Sequence, residues 1–205
     1  MKEYTGPEAD FYDSCFAGLE GDTQFYVEEA QKAGSPVLEL GCGTGRILLP
    51  IAKAGITIVG LDRAPAMLAI LRQKLTKLSP EVQGRVALVE GDMRDFEREE
   101  RFPLVIIPYR AFLHLLTAKA QRQALTCIRE HLTDDGRLIF NVFDPNLEVI
   151  AAHLGPLGAA QKKIRSLSIR PPAIALWSGR RPSTILNNNS LSSISSLKSW
   201  MRTGI

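Results

Sequence analysis

Cysteines and long apolar runs are scarce in this 205-residue chain. Cys15, Cys42 and Cys127 are odd in number and widely spaced, and no Cys-x-x-Cys pair occurs. This spacing predicts reduced thiols in the cytoplasm and disfavours both a disulfide framework and a structural zinc site, so we expect no metal. No apolar run reaches the ~18 residues of a membrane-spanning helix. Because acidic residues rather than an apolar stretch follow the N-terminus, we expect neither membrane insertion nor a secretory signal.

Acidic residues are absent from the last part of the chain. All 22 Asp and Glu residues lie at or before Glu148, together with 17 Lys and Arg residues, whereas residues 149–205 hold eight basic residues. The formal net charge of +3 therefore combines an acidic main part with a basic tail. Proteins that bind nucleic acid usually carry a basic patch or stripe with interleaved aromatic side chains. The main part has no such stripe, so we do not expect nucleic acid as a partner.

Helical and strand patterns alternate along residues 8–142. Short apolar runs predict strands at 37–40, 57–62, 85–90, 104–107 and 137–142. Apolar residues at helical spacing predict one or two helices within 8–33 and further helices at 47–52, 67–78 and 116–132. Continuous apolar strands that alternate with helices are typical of a parallel sheet covered on both faces. We therefore expect an α/β fold with a Rossmann-like, doubly wound, mostly parallel sheet.

A glycine-rich segment follows the first predicted strand. Glu39 lies in the apolar run, and Gly41, Gly43 and Gly45 follow at alternate positions before the next helix begins. Glycine allows a sharp turn and direct contact between a ligand and the main chain. The free N–H groups at a helix start also face whatever lies in the turn. The segment predicts a cofactor site, although by itself the pattern is also found in plain tight turns.

Two classes of nucleotide cofactor compete for this turn. The dinucleotide fingerprint Gly-x-Gly-x-x-Gly requires glycine where this chain has Arg46, so a nicotinamide cofactor is disfavoured.

Carboxylates at the next strand ends suit an adenosine. Asp62, at the end of the second strand, can accept hydrogen bonds from both hydroxyls of a ribose, or it can cap the following helix. After the third strand, Asp92 can accept from an exocyclic amine while Met93 packs on a flat ring, with a plain turn as the alternative.

These residues together give the chain a resemblance to the class I S-adenosylmethionine-dependent methyltransferases. The resemblance covers about residues 10–150 and rests on the 39–45 motif, Asp62 with Met67, the 91–93 segment, and the entry to the fifth strand at Gly136. It implies S-adenosyl-L-methionine as the cofactor and in-line methyl transfer to a small molecule. It also implies that Glu39 and the glycine turn hold the methionine part, Asp62 the ribose, and Asp92 with the next residue the adenine.

The expected cofactor-binding residues lie at strand ends, in the turns that follow them, or near the N-terminus. Tyr12 resembles a tyrosine on the N-terminal lid of related small-molecule enzymes, and an ordinary helix aromatic is the alternative. The full set is Tyr12, Glu39, Gly41, Cys42, Gly43, Gly45, Asp62, Arg63, Met67, Asp92, Met93 and Pro108. No catalytic residue is assigned.

Candidates for the substrate side follow the fourth strand and include Tyr109, Arg110 and His114. His114 can act as a general base, but its apolar neighbours favour a packing histidine. Arg110 either pairs with an acidic substrate group or is a solvated residue. Methyltransferases of nucleobase amines carry an Asp or Asn before two prolines and an aromatic residue at this point, and this chain lacks that pattern. We therefore expect an unidentified small molecule as the substrate.

We expect an N-terminal helical lid at 1–35, a cofactor-binding core at 36–155, and an irregular, basic, Ser-rich tail at 156–205. Residues 1–165 contain three serines, whereas residues 166–205 contain ten. The tail is either disordered or the product of translation in a shifted frame.

Methyltransferases of this class continue after the fifth strand with two strands that pair as an antiparallel hairpin. Because the tail shows no clear strand pattern, we expect those two strands to be missing and strand 137–142 to be an unpaired edge. A non-catalytic, cofactor-binding remnant is therefore the first alternative function. A nicotinamide-dependent oxidoreductase is the second.

Overall fold

The structure is organised around a six-stranded sheet with the strand order β3-β2-β1-β4-β5-β6. The computed structural model describes residues 9, 11–16 and 18–142, and the backbone of residues 173–178. The strands are β1 (Val37–Leu40), β2 (Ile58–Asp62), β3 (Val86–Glu90), β4 (Phe102–Ile107), β5 (Leu132–Val142) and β6 (Ala173–Ser178). Strands β1 to β5 run parallel, and β6 pairs antiparallel with β5. The predicted α/β fold with a mostly parallel, doubly wound sheet is confirmed.

The helices follow the predicted pattern with shifted ends. They are α1 (Tyr12–Cys15), α2 (Asp22–Ala33), α3 (Leu48–Lys53), α4 (Pro65–Leu75), α5 (Pro80–Gln83) and α6 (Ala118–His131), with a short 3-10 helix at Ala111–His114. Helix α6 begins later than predicted because the Thr117 hydroxyl accepts a hydrogen bond from the Ala120 amide at 3.1 Å and caps the helix. In the part of the chain that the structure describes, no helix is long and apolar enough to cross a membrane.

Apolar side chains cover both faces of the sheet. On one face, Leu38, Leu40, Val105 and Ile107 pack in a cluster that includes Ile128 of α6. On the other face, a second cluster joins the alternate residues of the same strands, Val37, Leu104 and Ile106, to Tyr26 of α2, Ile51 of α3 and Leu68 of α4. The two central strands are therefore buried on both sides, which explains why they read as continuous apolar runs.

The order of the strands reverses beside β1. The chain runs from β1 outward through β2 and β3, and then returns to place β4 on the other side of β1. Connections on the two sides diverge at this point and leave a crevice at the carboxyl ends of the strands, which is where open α/β sheets bind ligands. The glycine turn after β1 lies at this switch point.

Strand β5 begins earlier than predicted and contains a bulge. Phe102 pairs with Leu132 and Leu104 pairs with Arg137, so β5 has extra residues between these two pairs. Residues 134–136 lie in this bulge. A Cβ on Gly136 would lie 2.9 Å from the carbonyl oxygen of Phe102 and 3.0 Å from the amide nitrogen of Thr133, so the bulge leaves no room for a side chain there.

The expectation that 137–142 is an unpaired edge is wrong. Residues Arg137 to Val142 pair with β6 along their whole length, from Arg137 with Ser178 to Val142 with Ala173. Backbone groups of β5 that would otherwise be exposed at an edge are therefore hydrogen-bonded. The predicted character of the rest of the tail, including the segment on which the shifted-frame interpretation depends, lies outside the described residues.

Helix α2 is fastened to β5 by a buried carboxylate. Glu29 is 8% exposed, and its oxygens accept hydrogen bonds from Lys32 and from Arg137, each at 2.7 Å. Burial raises the pKa of Glu29, but the hydrogen bonds and charges of Lys32 and Arg137 outweigh it and hold the pKa below its ordinary value of 4.5. This contribution to stability is therefore present above pH 4.5 and lost as the pH falls through the lowered pKa.

We predict that Glu29→Gln lowers the free energy of unfolding at pH 7 by about 1–2 kcal/mol, because two charge-assisted hydrogen bonds lose their carboxylate. The difference from the wild type should shrink as the pH falls below 4.5 and through the lowered pKa, and urea denaturation at several pH values measures it. Glu28→Gln is the matched control, since Glu28 lies on the same helix, is exposed, and accepts a hydrogen bond from the exposed Gln24. Equal effects of both substitutions would contradict the prediction.

A second prediction concerns Gly45, which precedes α3 with φ +85°. A Cβ there would lie 2.2 Å from Cδ1 of Leu71, whereas a Cβ on Gly55 (φ +93°) would have no atom within 4 Å. Both alanine variants lose about 1–2 kcal/mol to the left-handed backbone. Gly45→Ala should lose about 1–3 kcal/mol more through overpacking. Urea denaturation of the two variants measures this difference, and an equal loss in both would refute the packing role of Gly45.

Candidate functional site

A cavity opens at the carboxyl ends of β1 to β4. It is lined by the glycine turn after β1, by the residues that follow β2, β3 and β4, and by the N-terminal helix α1. The lining residues are Tyr12, Gly41, Gly43, Leu61, Asp62, Arg63, Ala64, Met67, Gly91, Asp92, Met93, Pro108, Tyr109, Ala111, His114 and Leu115. Nine of the twelve residues proposed from the sequence line this cavity, and Glu39, Cys42 and Gly45 do not.

The glycine turn brings main chain to the surface of the cavity. Gly41 and Gly43 have positive φ angles of 72° and 53°, which glycine adopts without strain. A Cβ on Gly41 would lie 2.7 Å from the Cβ of Ala111, and one on Gly43 would lie 3.4 Å from the Cε of Met67. The absence of side chains at these two positions therefore keeps the cavity open between β1 and β4.

Asp62 holds the glycine turn from the end of the neighbouring strand. Its Oδ2 accepts a hydrogen bond from the Gly43 amide at 2.7 Å, and its Oδ1 accepts one from the Ala64 amide at 2.9 Å. Helix α4 has no side-chain N-cap, so the N-cap alternative for Asp62 is not what the structure has. Burial raises the pKa of Asp62, and the backbone hydrogen bonds oppose that rise. The carboxylate thus both lines the cavity and fixes the turn.

Asp92 lies at the end of the cavity formed by β3 and carries two arginine partners. Arg94 donates to both of its oxygens, from Nε at 2.9 Å and from Nη2 at 2.6 Å, and Nη1 of Arg63 lies 3.8 Å away. The Arg94 hydrogen bonds are the main reason that the pKa of Asp92 lies below its ordinary value. Met67 and Met93 supply apolar surface to the same cavity. The cavity therefore places apolar side chains and an ionised carboxylate in one lining.

Helix α1 is attached to the glycine turn through Asp13. Its carboxylate accepts a hydrogen bond from the Thr44 hydroxyl at 2.6 Å and lies 2.5 Å from Nζ of Lys74. Lys74 also donates to the carbonyl oxygen of Thr44 at 3.0 Å. Burial raises the pKa of Asp13, but the contacts with Lys74 and Thr44 lower it further than burial raises it. This cluster places Tyr12, the preceding residue of α1, in the wall of the cavity.

Three of the proposed residues lie behind the turn. Glu39 is 2% exposed, and its Oε2 has no hydrogen-bond partner among the described residues. Burial raises the pKa of Glu39 well above its ordinary value, and the charge of Arg46 opposes this rise. Cys42 is also buried, and its Sγ would lie 3.0 Å from a Cβ on Gly60, so it packs the turn against β2. Gly45 allows close packing of the turn against α4.

The segment after β4 forms the other end of the cavity. Pro108, Tyr109 and His114 line it, while Arg110 does not and lies with its guanidinium carbon 5.4 Å from the centre of the Tyr109 ring. His114 is exposed, so the interpretation as a packing histidine is wrong. The reason is that 111–114 forms a short 3-10 helix, in which Phe112 and not His114 faces the core.

The sequence did not reveal two residues that support this end of the cavity. Arg46, which in the sequence indicates only that a dinucleotide is disfavoured, forms two hydrogen bonds of 2.7 Å with Asp22 and stacks over the Tyr109 ring at 5.1 Å. Asn141 is 2% exposed and accepts hydrogen bonds from Tyr26 and from the Tyr109 amide. A polar residue inside the apolar run of β5 was the signal that could have identified Asn141.

Residues 37–136 match the family model of the methyltransferase domain. A dTDP-3-amino-3,6-dideoxy-α-D-glucopyranose N,N-dimethyltransferase of Streptomyces fradiae is 28% identical, over 67% of this chain and 53% of that protein. The crystal structure of the glycopeptide N-methyltransferase MtfA with S-adenosyl-L-methionine has a TM-score of 0.55 at 30% identity, over 60% of this chain and 55% of that chain.

The S-adenosylmethionine-bound structure of CalS10, an amino pentose methyltransferase from Micromonospora echinaspora, has a TM-score of 0.54 at 27% identity, over 68% of this chain and 57% of that chain. The chain spans about half the length of the curated relatives it matches. Sequence and fold agree on one family: residues 37–136 form a methyltransferase domain, and the solved structures that the chain resembles include complexes with S-adenosyl-L-methionine.

Proposed function

We propose that this protein transfers a methyl group from S-adenosyl-L-methionine to an amino group of a small molecule, with an amino sugar as the substrate class. One observation carries the proposal. A single cavity joins the carboxylates that follow β2 and β3 to an exposed imidazole, His114, that follows β4. The first part suits an adenosine, and the second suits an acceptor that must lose a proton. Relatives that act on amino sugars and a glycopeptide support the choice of an amine.

The residues of the cavity fit the cofactor. Asp62 accepts hydrogen bonds from the backbone of Gly43, Ala64 and Arg63 and retains acceptor capacity for a ribose hydroxyl. The apolar side chains of Met67 and Met93 suit a flat base whose amine donates to Asp92. The unpartnered Oε2 of Glu39, directly before the turn, needs a donor, and the ammonium group of a methionine is one. We propose these roles for the cofactor-binding residues, with Arg63 and Pro108 completing the walls.

The bound sulfonium supplies an already activated methyl group, so the protein has to align the acceptor and exclude water. We propose that residues 1–35 form a lid whose α1 covers the cofactor, with Tyr12 over the cavity and Asp13 as its attachment. His114 then accepts the proton that an ammonium acceptor must lose before its nitrogen lone pair can attack. Tyr109 forms an aromatic wall of the cavity between the cofactor and His114.

A non-catalytic, cofactor-binding role is the second candidate function. The observation that favours it is the change in composition after residue 165, where the chain becomes rich in serine and has no acidic residue. Cofactor affinity without methyl consumption in the presence of amine acceptors would support this role. Turnover with an amine would exclude it.

We predict that Asp62→Ala raises the dissociation constant for S-adenosyl-L-homocysteine by about 10- to 100-fold, because hydrogen bonds to a charged group are lost and the Gly43 amide is released. Isothermal titration calorimetry measures the constant. Asp95→Asn is the control, since Asp95 is exposed, follows β3 like Asp92, and does not line the cavity. Unchanged affinity in Asp62→Ala would remove Asp62 from the cofactor site.

For the chemistry, we predict that His114→Ala reduces kcat with an amino sugar about 10²–10⁴-fold, as expected when a general base is lost. The acceptor to test first is dTDP-3-amino-3,6-dideoxy-α-D-glucose, and mass spectrometry of the methylated product measures turnover. Cofactor affinity should change little. His131→Gln is the control, because His131 packs against Phe96 with a ring-centroid distance of 4.4 Å and does not line the cavity. A fully active His114→Ala variant would rule out the base.

A further inference from the structure

The backbone directly after β4 is strained. Tyr109 and Arg110 have φ angles of 51° and 67°, and they are the non-glycine residues with positive φ in the described part of the chain. Two successive non-glycine residues keep a left-handed backbone conformation only where the surrounding structure enforces it. Such strained positions cluster at functional sites. Here the strained pair lies between β4 and the 3-10 helix that carries His114.

Asn141 holds this strained segment from the neighbouring strand. It lies one position beyond the pair Ile107–Phe140, so its side chain is beside the chain that leaves β4. Its Oδ1 accepts a hydrogen bond from the Tyr109 amide at 3.3 Å. The same oxygen accepts a hydrogen bond from the hydroxyl of Tyr26. One buried amide therefore connects the segment after β4 to helix α2.

Tyr26 supports this connection from helix α2. It is fully buried on α2, and burial raises its pKa far above the ordinary value, so the phenol remains a neutral donor. Because the phenol donates to Asn141, the amide oxygen is oriented towards both donors. The oxygen therefore stays in place for the Tyr109 amide.

The ring of Tyr109 is fixed from a second direction. The guanidinium carbon of Arg46 lies 5.1 Å from the ring centre, and Arg46 itself is fixed by its two hydrogen bonds to Asp22. The ring of Phe16 contacts the Tyr109 ring edge-on, with 6.3 Å between the centres. Backbone and ring of Tyr109 are thus determined independently, and the backbone depends on Asn141.

We propose that Asn141 is a positioning residue for methyl transfer, which holds Tyr109 and Arg110 in their left-handed conformation and thereby places the Tyr109 ring and His114 at the acceptor end of the cavity. This inference rests on the proposed function for its kinetic readout. It predicts a role in the reaction without contact to cofactor or acceptor, because Asn141 does not line the cavity. The role is separable from cofactor binding, since Asp62, Asp92 and the glycine turn lie on other strands.

The kinetic test compares substitutions at the two ends of the network. Asn141→Leu removes the acceptor oxygen at similar volume, and Asn141→Asp keeps an oxygen in the same place. We expect kcat with dTDP-3-amino-3,6-dideoxy-α-D-glucose to fall about 10²-fold in Asn141→Leu, as for a small misplacement of reacting groups. The dissociation constant for S-adenosyl-L-homocysteine should stay close to that of the wild type. Asn141→Asp should recover part of kcat, and Tyr26→Phe, which leaves the Tyr109 contact, should have the smaller effect.

Nuclear magnetic resonance spectra of the full chain with S-adenosyl-L-homocysteine test the positioning without an acceptor. In Asn141→Leu we expect the signals of the Tyr109 and Arg110 amides and of the His114 ring to shift, while those of Gly43 and Asp62 do not. This readout remains valid if the wild type methylates no amino sugar, a result that would count against the proposed function alone.

Two results would overturn the positioning role. One is wild-type turnover in a folded Asn141→Leu variant, and the other is unchanged Tyr109, Arg110 and His114 signals. Should Asn141→Leu not fold, Asn141→Ser replaces it, since the shorter side chain leaves space for water and the same losses are expected. His131→Gln controls for a general loss of stability, because His131 is likewise a buried polar residue but lies away from the cavity.

Discussion

The hydrogen bond between the Asp62 carboxylate and the Gly43 amide determines how the cavity is built. It joins the end of β2 to the turn after β1 at the point where the order of the strands reverses. The turn can adopt this shape because glycines provide its left-handed conformations, and Asp62 fixes it at Gly43, which has no side chain of its own to do so. With the turn fixed, its main chain, Asp92 and the segment after β4 face one cavity.

A second network supports the acceptor end. Arg46, next to the glycine turn, is held by Asp22 of α2 and lies over the ring of Tyr109. Asn141 holds the backbone of the same residue. The N-terminal helices therefore contact both halves of the site, the cofactor half through Asp13 and the acceptor half through these side chains. In the proposed function, the N-terminal helices therefore help to position the residues of the active site as well as cover it.

Local patterns in the sequence predicted the elements that depend on local physics. The alternation of apolar runs and helical spacing gave the parallel sheet, and the glycine turn, Asp62 and Asp92 were placed at strand ends, which the topology brings together. The exposure of His114 could not be predicted in this way, because it depends on a left-handed pair that tertiary contacts enforce. Strand β6 was missed because an apolar run at 173–178 stands within a Ser-rich, basic composition. Whether the cavity residues bind the cofactor as proposed remains a prediction.

The pairing of Arg94 with Asp92 has a consequence for how a purine would be recognised. Both carboxylate oxygens already accept from the guanidinium, which is well exposed to solvent. An adenine amine that donates to Asp92 has to displace or share one of these donors, so the gain in binding is the difference between two hydrogen bonds rather than a whole one. Salt screens an exposed ion pair more than it screens a bound neutral base. Added salt would therefore weaken the pairing of Arg94 with Asp92 more than it weakens the binding of the adenine.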